Sequence, residues 1–196
     1  MIHTTLSIMD QLSHYASPKA RLTRLLKAGK LMQIRRGLYV DDPLTSPTVL
    51  APLIYGPSYL SFQYALAFHG LIPEGVRVLT SASYDKNRDK LFRTPLGEFR
   101  YWYLPPAVYA YGLRLEEEQG CSYLIASPEK ALCDAVYKVP RAVTLAEMHA
   151  LLIEDWRMDR DALLKLDIDF IRWIAPLYKR RSLAALARWT DKELSA

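Results

Sequence analysis

Lys19, Arg21, Arg24, Lys27, Lys30, Arg35 and Arg36 all fall within residues 17–40, a stretch with no Asp or Glu. Cations gathered this way bind polyanions: they neutralise phosphates, and an Arg can also reach O6 and N7 of guanine. Residues 1–40 hold these seven and one acid, Asp10, a balance of +6. The other 156 residues carry 19 basic and 20 acidic groups, a balance of −1. The chain's +5 therefore belongs to its first fifth, and the pI of about 9.1 says little about the rest. An ordinary solvated helix mixes signs to gain i,i+4 pairs; this stretch has no acid with which to do so.

Other residues invite a chemical reading less strongly. In SPEKALCD, Glu129 falls in the first turn of a helix, and Lys130 and Asp134 stand four apart. That pattern serves a helix dipole and an i,i+4 pair, contact with a protein partner, or catalysis, in decreasing order of weight. His3, His14, His69 and His149 are scattered without metal-site spacing. Asp85 and Asp89, beside Lys86 and Lys90, are the nearest candidates for a nuclease's metal-binding carboxylates, but YDKNRDK reads better as a loop between strands. Glu116, Glu117 and Glu118 read as a solvated loop tip. Tyr101, Trp102 and Tyr103 suit core packing on an alternating strand more than stacking on bases. No GxSxG, Walker A or GxGxxG pattern occurs. We expect no catalytic residues, no metal and no cofactor.

The elements that must hold the basic run are legible. Ser17 before Pro18 is an N-cap followed by a favoured first helical residue. Leu22, Leu25 and Leu26 recur at helical spacing, and Ala28-Gly29 supplies a stop. Projected at 100° per residue, the leucines share one face. Ala20, Thr23, Arg24 and Lys27 centre the opposite face, with Lys19 and Arg21 on its flanks. Long cations beside small or methyl-bearing residues suit a major groove, where Ala and Thr touch thymine methyls. LMQI and GLYV then flank Arg35-Arg36 as a hairpin with a three-residue, bulged turn, Gly37 taking positive φ. Arg35 and Arg36 at its tip would meet phosphates or a narrow minor groove, and Lys30 at the helix exit a phosphate. A shorter helix over residues 5–12 precedes. The order is that of a helix-turn-helix with a wing.

Beyond Pro43 the composition changes. Residues 43–73 contain no charged side chain, but five prolines and Gly56 leave no apolar run near the ~20 residues that span a bilayer. PSYLSFQYALAFHGL predicts a helix capped at Ser58 or Ser61 and closed at Gly70. Residues 76–82 predict a strand, LFRTPLGEFRYWYLP a hairpin about Pro95-Leu96-Gly97, and residues 111–115 and 123–126 two more strands. The last third predicts helices, with Ser127 capping one, a Thr144/Glu147 capping box on another, and Pro176 as an interruption. The predicted class is α+β: a small winged helix-turn-helix at residues 1–43, then an α+β domain at 44–196 with a mostly antiparallel sheet and C-terminal helices. Two cysteines without disulfide or zinc spacing, and an N-terminus unlike a signal peptide, lead us to expect a cytoplasmic protein.

RLLKAGKLMQIRRGLYV resembles the N-terminal winged helix of the AbiEi-type antitoxins of bacterial toxin–antitoxin systems. PSYLSFQYALAFHGLIPE, RVLTSAS, GEFRYWYL and IASPEKALCDAVY continue the resemblance in order, over about 60% of the chain. What the resemblance implies is a cytoplasmic repressor that binds inverted repeats of its own promoter and opposes a nucleotidyltransferase-type toxin, without enzymatic activity. Its implied DNA face is Lys19, Arg21, Thr23, Arg24 and Lys27, with Arg35 and Arg36 on the wing and two copies on DNA. The chain departs from the pattern in having only 16 residues before Ser17, too few for a complete three-helix core. A module of about 40 residues is marginal alone, so it is expected to lean on the larger part, which threatens to cover some of the face. Two readings compete: a basic run that holds an acidic protein, the toxin included, and a metal-dependent nuclease.

Overall fold

The structure, a computed structural model, describes residues 1–86 and 88–194. It opens with β1 (Ile2–Thr4), α1 (Thr5–Gln11), α2 (Pro18–Lys27), β2 (Met32–Arg35) and β3 (Leu38–Val40). The three strands form an antiparallel sheet in the order β1-β3-β2. Thr4 caps α1 through a capping box with Ser7. The predicted helix at 5–12 and the hairpin are present; β1, three residues with no periodicity to read, is an addition. Gly37 takes φ +89°, but Arg35 pairs directly with Leu38, so the turn has two residues and the irregularity falls at Ile34.

A second, six-stranded sheet organises the rest, in the order β6-β7-β5-β4-β9-β8. Its strands are β4 (Ser58–Leu60), β5 (Val78–Ser83), β6 (Lys90–Thr94), β7 (Gly97–Tyr103), β8 (Leu113–Glu118) and β9 (Cys121–Ala126). β5/β7 and β4/β9 pair in parallel and every other pair among the described residues is antiparallel. The chain is thus α+β with mostly antiparallel sheets. The helices are α3 (Pro47–Ile54), α4 (Phe62–Phe68), α5 (Pro106–Tyr109), α6 (Pro128–Tyr137), α7 (Leu145–His149), α8 (Arg160–Leu163), α9 (Ile168–Ile174) and α10 (Arg181–Leu194). A π-helical turn (Ala150–Asp155) extends α7, and a 3₁₀ turn (Ala175–Tyr178) holds Pro176 between α9 and α10.

Two predicted elements are corrected. PSYLSFQYALAFHGL is a strand followed by a helix: Ser58, Tyr59 and Leu60 are buried and bridge β5 and β9, and the helix starts only after Ser61. A central strand buried on both faces shows no alternation, so its apolar run passes for helix. Glu116, Glu117 and Glu118 are not a loop tip but the end of edge strand β8, and the turn is Gln119-Gly120. Glu118 accepts hydrogen bonds from Ser46 Oγ (2.9 Å) and Thr48 Oγ1. YDKNRDK does connect two strands, β5 and β6; Asn87 within it lies outside the described residues.

Burial explains how the opening segment is held. Ile8, Leu12, Leu22 and Tyr39 form a small cluster joined by Leu25 and Leu26, so the predicted leucine face of α2 does pack inward. The other side of the small sheet, Ile34, Leu38 and Val40, belongs to the main core with Leu50, Ile54, Phe99 and Tyr101. A four-residue core removes too little apolar surface to hold two helices and a hairpin by itself. The expected lean on the larger part is therefore made through the hairpin's back and leaves α2 outside. No helix among the described residues is long and apolar enough to cross a membrane.

Candidate nucleic-acid interface

α2 carries most of the candidate residues. Pro18 occupies its first turn, but Ser17 makes no side-chain cap bond, so the predicted cap holds in position only. The exit is a Schellman motif: the Lys30 N–H donates to Leu25 O (3.0 Å) and the Gly29 N–H to Leu26 O (3.1 Å), with Gly29 at φ +67°. This closure fixes where Lys30 leaves the helix.

Lys19, Ala20, Thr23, Arg24, Lys27 and Lys30 are all exposed. Residues three and four apart on a helix have Cβ atoms about 5–6 Å apart, so Ala20, Thr23, Arg24 and Lys27 form one continuous surface. Thr23 Oγ1 donates to Lys19 O (3.1 Å), which spends its hydroxyl on the helix itself. Among the described residues, none of the seven cations of residues 17–40 is ion-paired; every salt bridge lies elsewhere. Arg24 and Lys27 stand in the last turn, where the helix dipole welcomes cations. Lys19 stands in the first turn, where it opposes the dipole by about 0.3–1 kcal/mol. Helix stability alone therefore does not account for it.

Three predicted contacts need separate placement. Arg21 is only half exposed: its guanidinium lies 4.9 Å from the Tyr15 ring centroid, and its Nε is buried without a partner. It joins α2 to the preceding turn rather than standing with Arg24. Arg36 sits in the hairpin turn and is exposed. Arg35 is exposed too: it ends β2 opposite Leu38, directly before the turn, and near enough to Tyr101 for its charge to favour the phenolate. Burial outweighs it and pushes the Tyr101 hydroxyl up; that hydroxyl donates to Ala51 O (2.7 Å). The turn is also tethered, since the Thr5 N–H donates to Gly37 O (3.1 Å). Tyr15 is the residue that sequence reasoning missed; its aromatic ring six residues before Arg21 was the available signal.

The SPEKALCD residues form a different arrangement. Lys130 and Asp134 are fully buried, one helical turn apart on α6. Lys130 Nζ donates to Asp134 Oδ1, Tyr59 OH (2.8 Å) and Tyr178 OH (2.9 Å). Asp134 also accepts from Tyr178 OH, from Tyr59 OH (3.0 Å) and from Ser61 Oγ (2.6 Å). All three ammonium protons and all four carboxylate lone-pair sites are thereby used. Burial pulls the Lys130 ammonium's pKa down against the opposing pull of Asp134, and pushes both tyrosines well above their ordinary value. Gly112 makes room for this lysine: at φ +64°, an added Cβ would meet Phe170 at 2.7 Å and Lys130 Cβ at 2.9 Å. The group ties β4, α6 and the 3₁₀ turn together and offers no open coordination to a substrate.

Other candidates are engaged locally and apart from one another. Asp89 pairs with Lys138 (3.2 Å), His69 Nε2 meets Ala126 O (2.8 Å), and His3 Nε2 meets Asp41 (3.2 Å). Tyr101 is buried, and Trp102 packs edge-on against Phe62 at 4.7 Å, so this strand does face the core. Burial pushes the Cys133 thiol up, which keeps it protonated. Among the described residues, no three His, Cys, Asp or Glu side chains come together to hold a metal. Neither the family models nor the curated proteins searched include a match to this chain.

Proposed function

We propose that the chain is a cytoplasmic, non-enzymatic DNA-binding autorepressor and antitoxin, in which β1, α1, α2, β2 and β3 act as a winged helix-turn-helix. The observation that carries the DNA-binding part is the exposed, acid-free face of α2, on which Lys19, Arg24 and Lys27, with Lys30 just past its exit, have no ion-pair partner among the described residues. Arg24 and Lys27 read or line the major groove, with Ala20 and the Thr23 methyl against thymine. Arg36 in the turn and the exposed Arg35 beside it meet the backbone. The antitoxin part, directed against a nucleotidyltransferase-type toxin, rests on the ordered resemblance of residues 21–137 to AbiEi-type antitoxins. Two copies on an inverted repeat would set their α2 helices about 34 Å apart, one turn of duplex.

The test is a gel shift on the DNA immediately upstream of the chain's own reading frame. Wild type should shift it, and Arg24→Glu/Lys27→Glu should not, with an unchanged circular dichroism spectrum. A shift unaffected by this double reversal would remove α2 from the mechanism. Co-purification with an acidic protein that survives DNase, combined with no shift, would favour the protein-interaction reading instead.

A further inference from the structure

Lys179, Arg180, Arg181 and Arg188 rim a concavity of about 760 Å³ where the 3₁₀ turn meets α10. All four are exposed, and none is ion-paired among the described residues. Two are held in place by the fold. The Arg188 Nη2 donates to Val143 O (3.4 Å), and the Arg180 guanidinium lies 5.1 Å from the Tyr137 ring centroid. Between the cations the floor is alkyl: Val143, Ala175, Pro176, Ala184 and Ala187. Arg181, Ala184 and Arg188 recur at i, i+3 and i+7, so a small side chain separates two guanidinium groups along one face of α10.

We infer that this concavity docks an acidic amphipathic helix of a protein partner, its carboxylates meeting Arg181 and Arg188 and its apolar face lying on Ala175 and Ala184. Charge complementarity selects an anionic occupant, and the floor selects among anions. Phosphates gain nothing from alkyl surface, and no aromatic ring lines the site to stack a base. A helix with one apolar face gains on both counts, and alanines let its backbone approach. This site lies on elements other than α2, so it stands or falls independently of the proposed DNA face.

The test uses the full chain and a fluorescein-labelled peptide of about 18 residues, roughly five helical turns. The peptide carries Leu and Ala on one face and Glu on the other. Anisotropy at about 150 mM salt should show saturable binding, weakened about tenfold or more by Arg181→Glu/Arg188→Glu. Ala184→Trp, which fills the floor and leaves charge unchanged, should weaken it as well. Arg24→Glu/Lys27→Glu should leave it intact. Absence of saturable binding would overturn the inference, as would binding indifferent to both changes. So would displacement by a single-stranded or duplex oligonucleotide at lower concentration than unlabelled peptide requires.

Discussion

Removing Asp134 should unfold this protein far more readily than removing Lys130, although the two are partners. Asp134→Ala leaves a buried ammonium with only two tyrosine oxygens, and takes the sole acceptor from Tyr59, Tyr178 and Ser61. Breaking a buried pair costs about 3–5 kcal/mol, and each stranded hydroxyl adds up to about 1 kcal/mol. Allowing for overlap, the loss is about 4–6 kcal/mol, against a total stability of about 5–15 kcal/mol for a domain. Lys130→Met leaves the carboxylate with three hydroxyl donors, so its cost is about 2–3 kcal/mol. Lys130→Met/Asp134→Ala removes both charges and should cost less than the sum of the two single changes, a coupling that a double-mutant cycle reads directly. Urea unfolding at neutral pH, followed by tryptophan fluorescence, gives the midpoints. At about 2–4 °C per kcal/mol for a chain of this size, Asp134→Ala should also melt about 10–20 °C lower. Additive costs, or Lys130→Met matching Asp134→Ala, would refute the reasoning and reopen a functional role for the pair.

Lys19→Glu should act in opposite directions on two properties. It should stabilise the protein by about 0.3–1 kcal/mol by placing an acid at the start of α2, seen as a raised melting temperature, while weakening DNA binding in an anisotropy titration. Tyr15→Ala should loosen Arg21 and cost about 0.5–1 kcal/mol for the exposed cation–π contact; urea midpoints report it, and Arg21→Lys in that background should change little more. Burial lowers the pKa of His69, aided by Arg114 and opposed by its bond to Ala126 O. A group with a depressed folded-state pKa binds a proton more readily when unfolded, so stability should fall as pH drops below about 6.5. His69→Gln should flatten that part of the stability–pH curve, and an unchanged slope would show that His69 titrates freely in the folded chain.

What the sequence made legible follows the length of its signals. α2 and its stop at Ala28-Gly29, the β6–β7 hairpin and the Ser127 and Thr144 caps rest on local chemistry, and the structure has them where that chemistry puts them; the β2–β3 hairpin is there as well, with a two-residue turn in place of the expected three. β4 was hidden because burial on both faces erases alternation, and β1 because three residues carry no period. The basic run was plain as composition, yet Arg21 separates from it, turned onto Tyr15. Lys130 and Asp134 were visible as a helical pair, but Tyr59 and Tyr178 lie 71 and 48 residues from Lys130, beyond any local pattern.

The most direct measurement of the central claim is the salt dependence of binding to the upstream duplex. If α2 and the hairpin neutralise about five phosphates, log Kobs should fall against log salt with a slope of about −4 to −5. Lys30→Ala/Arg36→Ala, which removes two of the proposed phosphate contacts, should lower that slope by about two units along with the affinity. A wild-type slope near zero, or an identical slope in the double variant, would contradict an electrostatic interface of α2 and the hairpin with DNA.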